Sequence, residues 1–142
     1  MIWIVDASVA VKWFLEDELH ERADAVLERW IDQPECFAVP ELFCFEVFSV
    51  LCRVHPRGRD VFVGGVLPLI QGGVVRQPMT EELAGDAARF VAMGLTGYDA
   101  CYAALARQMK GLWLTFDGRA HRRIAGEGVS YDLGEGMPDG WP

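Results

Sequence analysis

Two stretches, Ile2-Trp3-Ile4-Val5-Asp6 and Leu112-Trp113-Leu114-Thr115-Phe116-Asp117, decide the fold. Each is a short run of aliphatic and aromatic residues without polar alternation. That is the pattern of a strand covered on both faces. Each ends in aspartate, and a helical segment follows each one. Outward from these runs, strands and helices alternate along the whole chain. Helices are expected over 9–18 and 19–31, with Ser8 able to cap the first. A strand follows at 36–39, stopped by Pro40, which also opens a helix over 41–54. Residues 57–71 read as a weaker helix interrupted by Gly64, Gly65 and Pro68. A strand is expected at 74–77 and a helix from Thr80 to Met93, closed by Gly94. Thr96-Gly97-Tyr98-Asp99 resembles a capping box and begins an Ala-rich helix to about Lys110. A basic helix at 119–125 and a strand at 129–133 complete the pattern. Alternation of this kind predicts an α/β fold: a three-layer α/β/α sandwich with a central parallel sheet. One domain over 1–133 is expected, with a flexible tail over 134–142.

The 142 residues suit a single domain, and an apolar share of 51% excludes wholesale disorder. No apolar run is long enough to span a bilayer. The first six residues lack a basic leader and reach an acid at Asp6, so a cytoplasmic protein is expected. Cys36, Cys44, Cys52 and Cys101 form no C-x-x-C pair and are expected to be reduced, filling core positions. His20, His55 and His121 lie in polar surroundings and look like surface residues. No glycine-rich loop with a following lysine occurs, which excludes a P-loop. The net charge is −8, which alone argues against a nucleic-acid partner. The acids are concentrated, however, between Glu16 and Glu41. Basic residues gather around Arg53 to Arg59 and from Cys101 to Arg123.

Four acids stand in apolar company. Asp6 and Asp117 end the two strands quoted above. If those strands are neighbours, the two carboxylates meet at one sheet edge, where ligands of open α/β sheets bind. Each could equally be a helix N-cap. Glu46 lies in Leu42-Phe43-Cys44-Phe45-Glu46-Val47-Phe48-Ser49-Val50, with no cation at helical spacing. It is either on a solvated stripe or paired with a group from elsewhere, since burying it unpaired is costly. Asp99 is the sole acid of its helix and is either part of the capping box or a site residue. Taken together, a carboxylate cluster without His or Cys selects Mg2+, or Mn2+, over zinc or copper. Such ions activate water and stabilise the leaving oxygen of a phosphodiester.

The segments Ile4-Val5-Asp6-Ala7-Ser8, Pro40-Glu41-Leu42 with Glu46, Leu95-Thr96-Gly97-Tyr98-Asp99-Ala100 and Leu114-Thr115-Phe116-Asp117 resemble the four motifs of PIN-domain ribonucleases. The resemblance is to the VapC-type toxins of toxin–antitoxin pairs, and it extends from residue 2 to about 133. It implies a Mg2+-dependent endoribonuclease whose acidic quartet is Asp6, Glu46, Asp99 and Asp117. Asp6 and Asp99 match direct metal ligands, and Ser8 and Thr115 match supporting hydroxyls. Ser49 stands where the family often has Asn. The resemblance also implies a homodimer and a small antitoxin that inserts a basic side chain into the acidic groove. The apolar segment 61–70 is either a dimer or antitoxin contact or ordinary core.

With an RNA substrate, Arg119, Arg122 and Arg123 are the expected phosphate contacts, helped by Lys12 and Arg53. Their alternative is a solvated helix face. A haloacid-dehalogenase phosphatase would need a second Asp where Ser8 stands. Two other readings remain open on the sequence: a housekeeping ribonuclease of the same fold without an antitoxin, and a non-catalytic binding module. The RNA target and cleavage site are not written in the sequence.

Overall fold

The computed structural model describes all 142 residues. Its centre is one sheet of β1 (Trp3–Val5), β2 (Phe37–Pro40), β3 (Val75–Gln77), β4 (Leu112–Thr115) and β5 (Ser130–Asp132). The spatial order is β3-β2-β1-β4-β5, and every neighbouring pair is parallel. The two runs that end in aspartate therefore lie side by side, with Val5 opposite Leu114. β1, β2 and most of β4 are fully buried.

The helices are α1 (Ala7–Ala10), α2 (Glu21–Asp32), α3 (Leu42–Val54), α4 (Gly58–Val61), α5 (Leu67–Gln71), α6 (Glu81–Ala92), α7 (Gly97–Gln108) and α8 (Gly118–Ile124). From β1 the chain steps outward to β2 and β3, then returns across the sheet to β4 and continues to β5. By the right-handed rule for parallel crossovers, this strand order puts α1–α5 on one face of the sheet and α6–α8 on the other, giving the three layers. The strand order reverses between β1 and β4, which makes the carboxyl end of that pair the topological switch point.

Most elements follow from the residues that start and stop them. Thr80 caps α6 and Thr96 caps α7, each accepting a backbone N–H with its hydroxyl. Gly94 stops α6 in a left-handed conformation (φ +105°) that few other residues adopt. α2 is amphipathic and buries Ala23, Val26 and Trp30 against the sheet side. The 3-10 turns at Val11–Trp13 and Glu16–Glu18 replace most of the helix expected over 9–18.

Four expectations need correction. Asp6, not Ser8, caps α1. Pro40 is the last residue of β2 and α3 begins after Glu41, whose N–H donates to Gln77 O. Gly64 and Gly65 do not interrupt the helix at 57–71: the backbone widens to a π-turn at Phe62–Val66 and continues into α5, which accommodates Pro68 within its first turn. Cys52 is exposed rather than in the core, whereas Cys44 and Cys101 are buried. Within residues 134–142, Met137 and Trp141 pack against the core, with the Trp141 ring 4.9 Å from that of Trp3. No helix is long and apolar enough to cross a membrane.

Candidate active site

Asp6 leaves β1 with extended backbone (φ −74°, ψ 151°), and its Oδ2 accepts from the Ser8 N–H at 3.1 Å. That bond is an ordinary N-cap. Two further donors come from β4: Trp113 Nε1 to Oδ1 at 3.1 Å and Thr115 Oγ1 to Oδ2 at 3.3 Å. A cap needs only the helix N–H, so the two β4 donors are more than capping requires. Burial, with 7% of the residue exposed, pushes its carboxyl pKa up, and the hydrogen bonds from Ser8, Trp113 and Thr115 oppose the shift.

Glu46 is on α3 and partly buried. The partner comes from α7: Tyr102 OH donates to Glu46 Oε1 at 2.8 Å. Desolvation first, then the negative charges of Asp6 and Asp99, push the Glu46 carboxyl up to about 7. The solvated-stripe reading therefore fails. Asp99 sits in the first turn of α7. Its N–H donates to Thr96 Oγ1 at 3.1 Å, but its carboxylate does not return the bond to the Thr96 N–H that a complete capping box would have. Desolvation, then Asp6 and Asp117, push its carboxyl up to about 6. Asp6 and Asp117 follow the paired strands β1 and β4, and Glu46 and Asp99 are near enough to Asp6 for their carboxyls to feel its charge. Asp117 is the most open of them. It caps α8 through the Ala120 N–H at 3.0 Å, and its own N–H donates to Thr115 Oγ1 at 3.0 Å.

The hydroxyls tie the strand ends together. Ser8 Oγ is 3.5 Å from Thr115 Oγ1 and accepts the Phe116 N–H at 3.1 Å. Ser49 is exposed and shares a groove of about 560 Å³ with Glu46, Arg53, Phe45 and Tyr98. The basic candidates divide. Arg119 and Arg122 are exposed on α8. Arg123 donates to Gly94 O, which ties it to the turn between α6 and α7. Lys12 Nζ lies 3.9 Å from Glu18 and 4.9 Å above the Phe116 ring.

The molecule's four ion pairs are Lys12–Glu18, Arg57–Asp60, Arg59–Asp60 and Arg89–Asp86, so no member of the quartet has a cation of its own. No group of three or more His, Cys, Asp or Glu side chains is placed closely enough to hold a metal ion. A site of this kind suits an ion that keeps much of its water, as Mg2+ does with a few carboxylates. All its donors are hard oxygens, and neither His nor Cys joins them. The quartet's uncompensated charge thus fits a divalent cation.

Sequence reasoning missed Tyr102, Trp113 and Asp132. The signal for the first two was available: a buried Tyr or Trp needs a partner for its polar hydrogen. Asp132, buried at the end of β5 opposite Thr115, accepts from the Gly134 N–H at 2.8 Å. Nothing in its local sequence marks it.

A family model described as PIN domain matches residues 3–127. No curated protein matches the sequence significantly. Among solved structures, the chain is similar to FitAcB from Neisseria gonorrhoeae at 17% identity and a TM-score of 0.71, over 96% of this chain and 100% of that one. A toxin–antitoxin complex from Klebsiella pneumoniae gives 18% identity and a TM-score of 0.64, over 91% and 98%. VapC20 from Mycobacterium tuberculosis, described as a sarcin-ricin loop cleaving toxin, gives 17% and 0.63, over 84% and 93%. At these identities the likeness establishes the fold.

Proposed function

The chain belongs to the PIN-domain family of nucleases, and from that premise we propose that it is a Mg2+-dependent endoribonuclease acting as the toxin of a toxin–antitoxin pair. The observation that supports the reading is that Asp6, Glu46, Asp99 and Asp117, on elements that meet near the switch point, have no cationic side chain paired to any of them. Asp6, Asp99 and Asp117, with Glu46, would hold the cation. When bound, it would lower the pKa of a water and offset charge on the leaving oxygen.

The chain's own groups have separate tasks. Asp6 is oriented by three donors on its two oxygens. Glu46 accepts from Tyr102 at Oε1, which leaves Oε2 free to face the cation or a water. Ser8 and Thr115 fix the spacing between the ends of β1 and β4. Arg119 and Arg122, exposed on the helix that Asp117 caps, would take RNA phosphates. Manganese should replace magnesium.

The partner reading follows from the same charge. A small antitoxin that offers one Arg or Lys to the quartet gains a strong electrostatic complement. A structural neighbour is itself a toxin–antitoxin complex, which supports this partner. A homodimer is part of the proposal, with the exposed Phe45 and Phe48 of α3 as its apolar surface.

The test is cleavage of structured RNA by purified protein with Mg2+, with Mn2+ and with EDTA, alongside Asp99→Asn. Cleavage should require the ion and fall by orders of magnitude in the variant. Activity that survives exhaustive chelation rules out the metal mechanism. Near-wild-type activity of Asp99→Asn returns that residue to helix capping.

A further inference from the structure

Trp113 and Tyr102 are both wholly buried, and the destinations of their polar hydrogens set them apart. The indoles of Trp13 and Trp30 donate to backbone carbonyls, Ala23 O at 2.8 Å and Leu69 O at 3.1 Å. That is the ordinary way to satisfy an indole inside a protein. Trp113 instead donates to Asp6 Oδ1, and Tyr102 to Glu46 Oε1. The two rings stack with centroids 5.9 Å apart and planes 13° from parallel. One rigid aromatic unit, spanning β4 and α7, therefore reaches two carboxylates that come from β1 and α3. Each donor occupies one lone pair of its carboxylate oxygen; with Asp6 Oδ2 already accepting from Ser8 and Thr115, the second lone pair of Asp6 Oδ1 and the Oε2 of Glu46 are left to accept. A flexible or apolar floor would let two like-charged carboxylates rotate apart. This floor fixes the direction in which each one faces.

We propose that Trp113 and Tyr102 form a stacked pair of positioning residues that hold Asp6 and Glu46 in fixed orientation toward a divalent cation. The proposal rests on the metal-dependent reading above and adds to it which side chains pre-set the site. Outer groups that hydrogen-bond metal-ligating side chains orient them, and their loss typically weakens metal affinity by about 10–100-fold. The pair touches neither substrate nor ion in this scheme. A role confined to filling the core predicts no such effect, provided an aromatic ring is kept.

The measurement is a Mg2+ titration of the wild-type protein followed by the indole N–H resonances of its five tryptophans. The Trp113 signal is identified by its absence in Trp113→Phe, or by its proximity to the Tyr102 ring protons if that variant does not fold. It should shift in step with cation binding, while the Trp13 and Trp30 indoles stay put. Tyr102→Phe keeps the stack and removes only the hydroxyl. It and Trp113→Phe should each weaken Mg2+ binding about tenfold or more, measured calorimetrically without RNA. If wild-type resonances respond to Mg2+ while the Trp113 indole does not, or if both variants bind Mg2+ as wild type does, the proposal is overturned and the nuclease reading stands. If the wild type gives no response to Mg2+ at all, both fall together.

Discussion

Replacing Glu46 by Gln should stabilise this protein at pH 8 in EDTA, although it disturbs a residue assigned to the active site. Gln keeps the shape of Glu and can still accept the Tyr102 hydroxyl, so the change removes charge and little else. In the folded protein the Glu46 carboxyl lies at about 7 against its ordinary 4.5. A raised acid binds its proton more tightly in the folded state. Its stabilising contribution is therefore complete below about 4.5 and is lost as pH rises through about 7. At 1.4 kcal/mol per pH unit, the displacement corresponds to about 3 kcal/mol. Partial solvent access and salt reduce this to about 1–2 kcal/mol. For a chain of this length that is a rise of about 4–8 °C in melting temperature. The assay is thermal unfolding of both proteins at pH 5 and pH 8, with EDTA and with millimolar Mg2+. The variant should melt higher than wild type at pH 8 in EDTA and level with it at pH 5, where wild-type Glu46 is mostly protonated. Mg2+ at pH 8 should close the gap by stabilising the wild type more. A gap that is the same at both pH values, or a variant that melts lower at pH 8, refutes the argument that uncompensated charge at Glu46 strains the metal-free site.

Three other outcomes are expected. Mg2+ at ten times its dissociation constant should stabilise the wild type by about 1.4 kcal/mol, and Asp6→Asn, which preserves the cap, should lose most of that gain; melting curves that move in parallel would remove Asp6 from the ligand set. Because bound protons compete with the cation, the apparent Mg2+ affinity should climb from pH 5.5 to 7.5 and then level off, as Glu46 and Asp99 ionise near 7 and 6; calorimetry that finds a flat profile contradicts this. Gly111→Ala should destabilise the fold by several kcal/mol, since an added Cβ would stand 2.2 Å from Ile2 O where β4 begins; denaturant unfolding within about 0.5 kcal/mol of wild type would show that the β1–β4 edge yields easily.

The fold was legible because its signals are local. Proline, glycine and threonine mark element ends within a few residues, and unbroken apolar runs distinguish buried strands from amphipathic helices. The failures are also local. Gly64, Gly65 and Pro68 look like breakers, but a π-turn absorbs them. Cys52 looks apolar by its neighbours, yet the helix turns it to solvent. The site was legible only as a set of residue types. Asp6, Glu46, Asp99 and Asp117 stood out because acids are rare in apolar segments. What holds them did not stand out. Trp113 and Asp6 lie 107 positions apart, and the β1–β4 register alone brings them together. Tyr102 lies in a segment whose periodicity is explained by burial, so its hydroxyl's need of a partner was the one hint of a second task, and nothing local marks Asp132.

The pairing of β1 with β4 also sets a schedule. Synthesis delivers the amino terminus first, and domains form as their parts emerge. β1 can meet β2 once about forty residues are available, but its other edge stays open until Leu112–Thr115 has been made. Asp6 has no Trp113 or Thr115 donor before then, and Asp117 does not yet exist. A chain stalled at any earlier codon therefore carries at most three of the four acids, without the β4 donors that hold Asp6. For a protein read as an RNA-cleaving toxin, the order of the strands thus acts as a delay: the centre assembles only after β4 and Asp117 have been made.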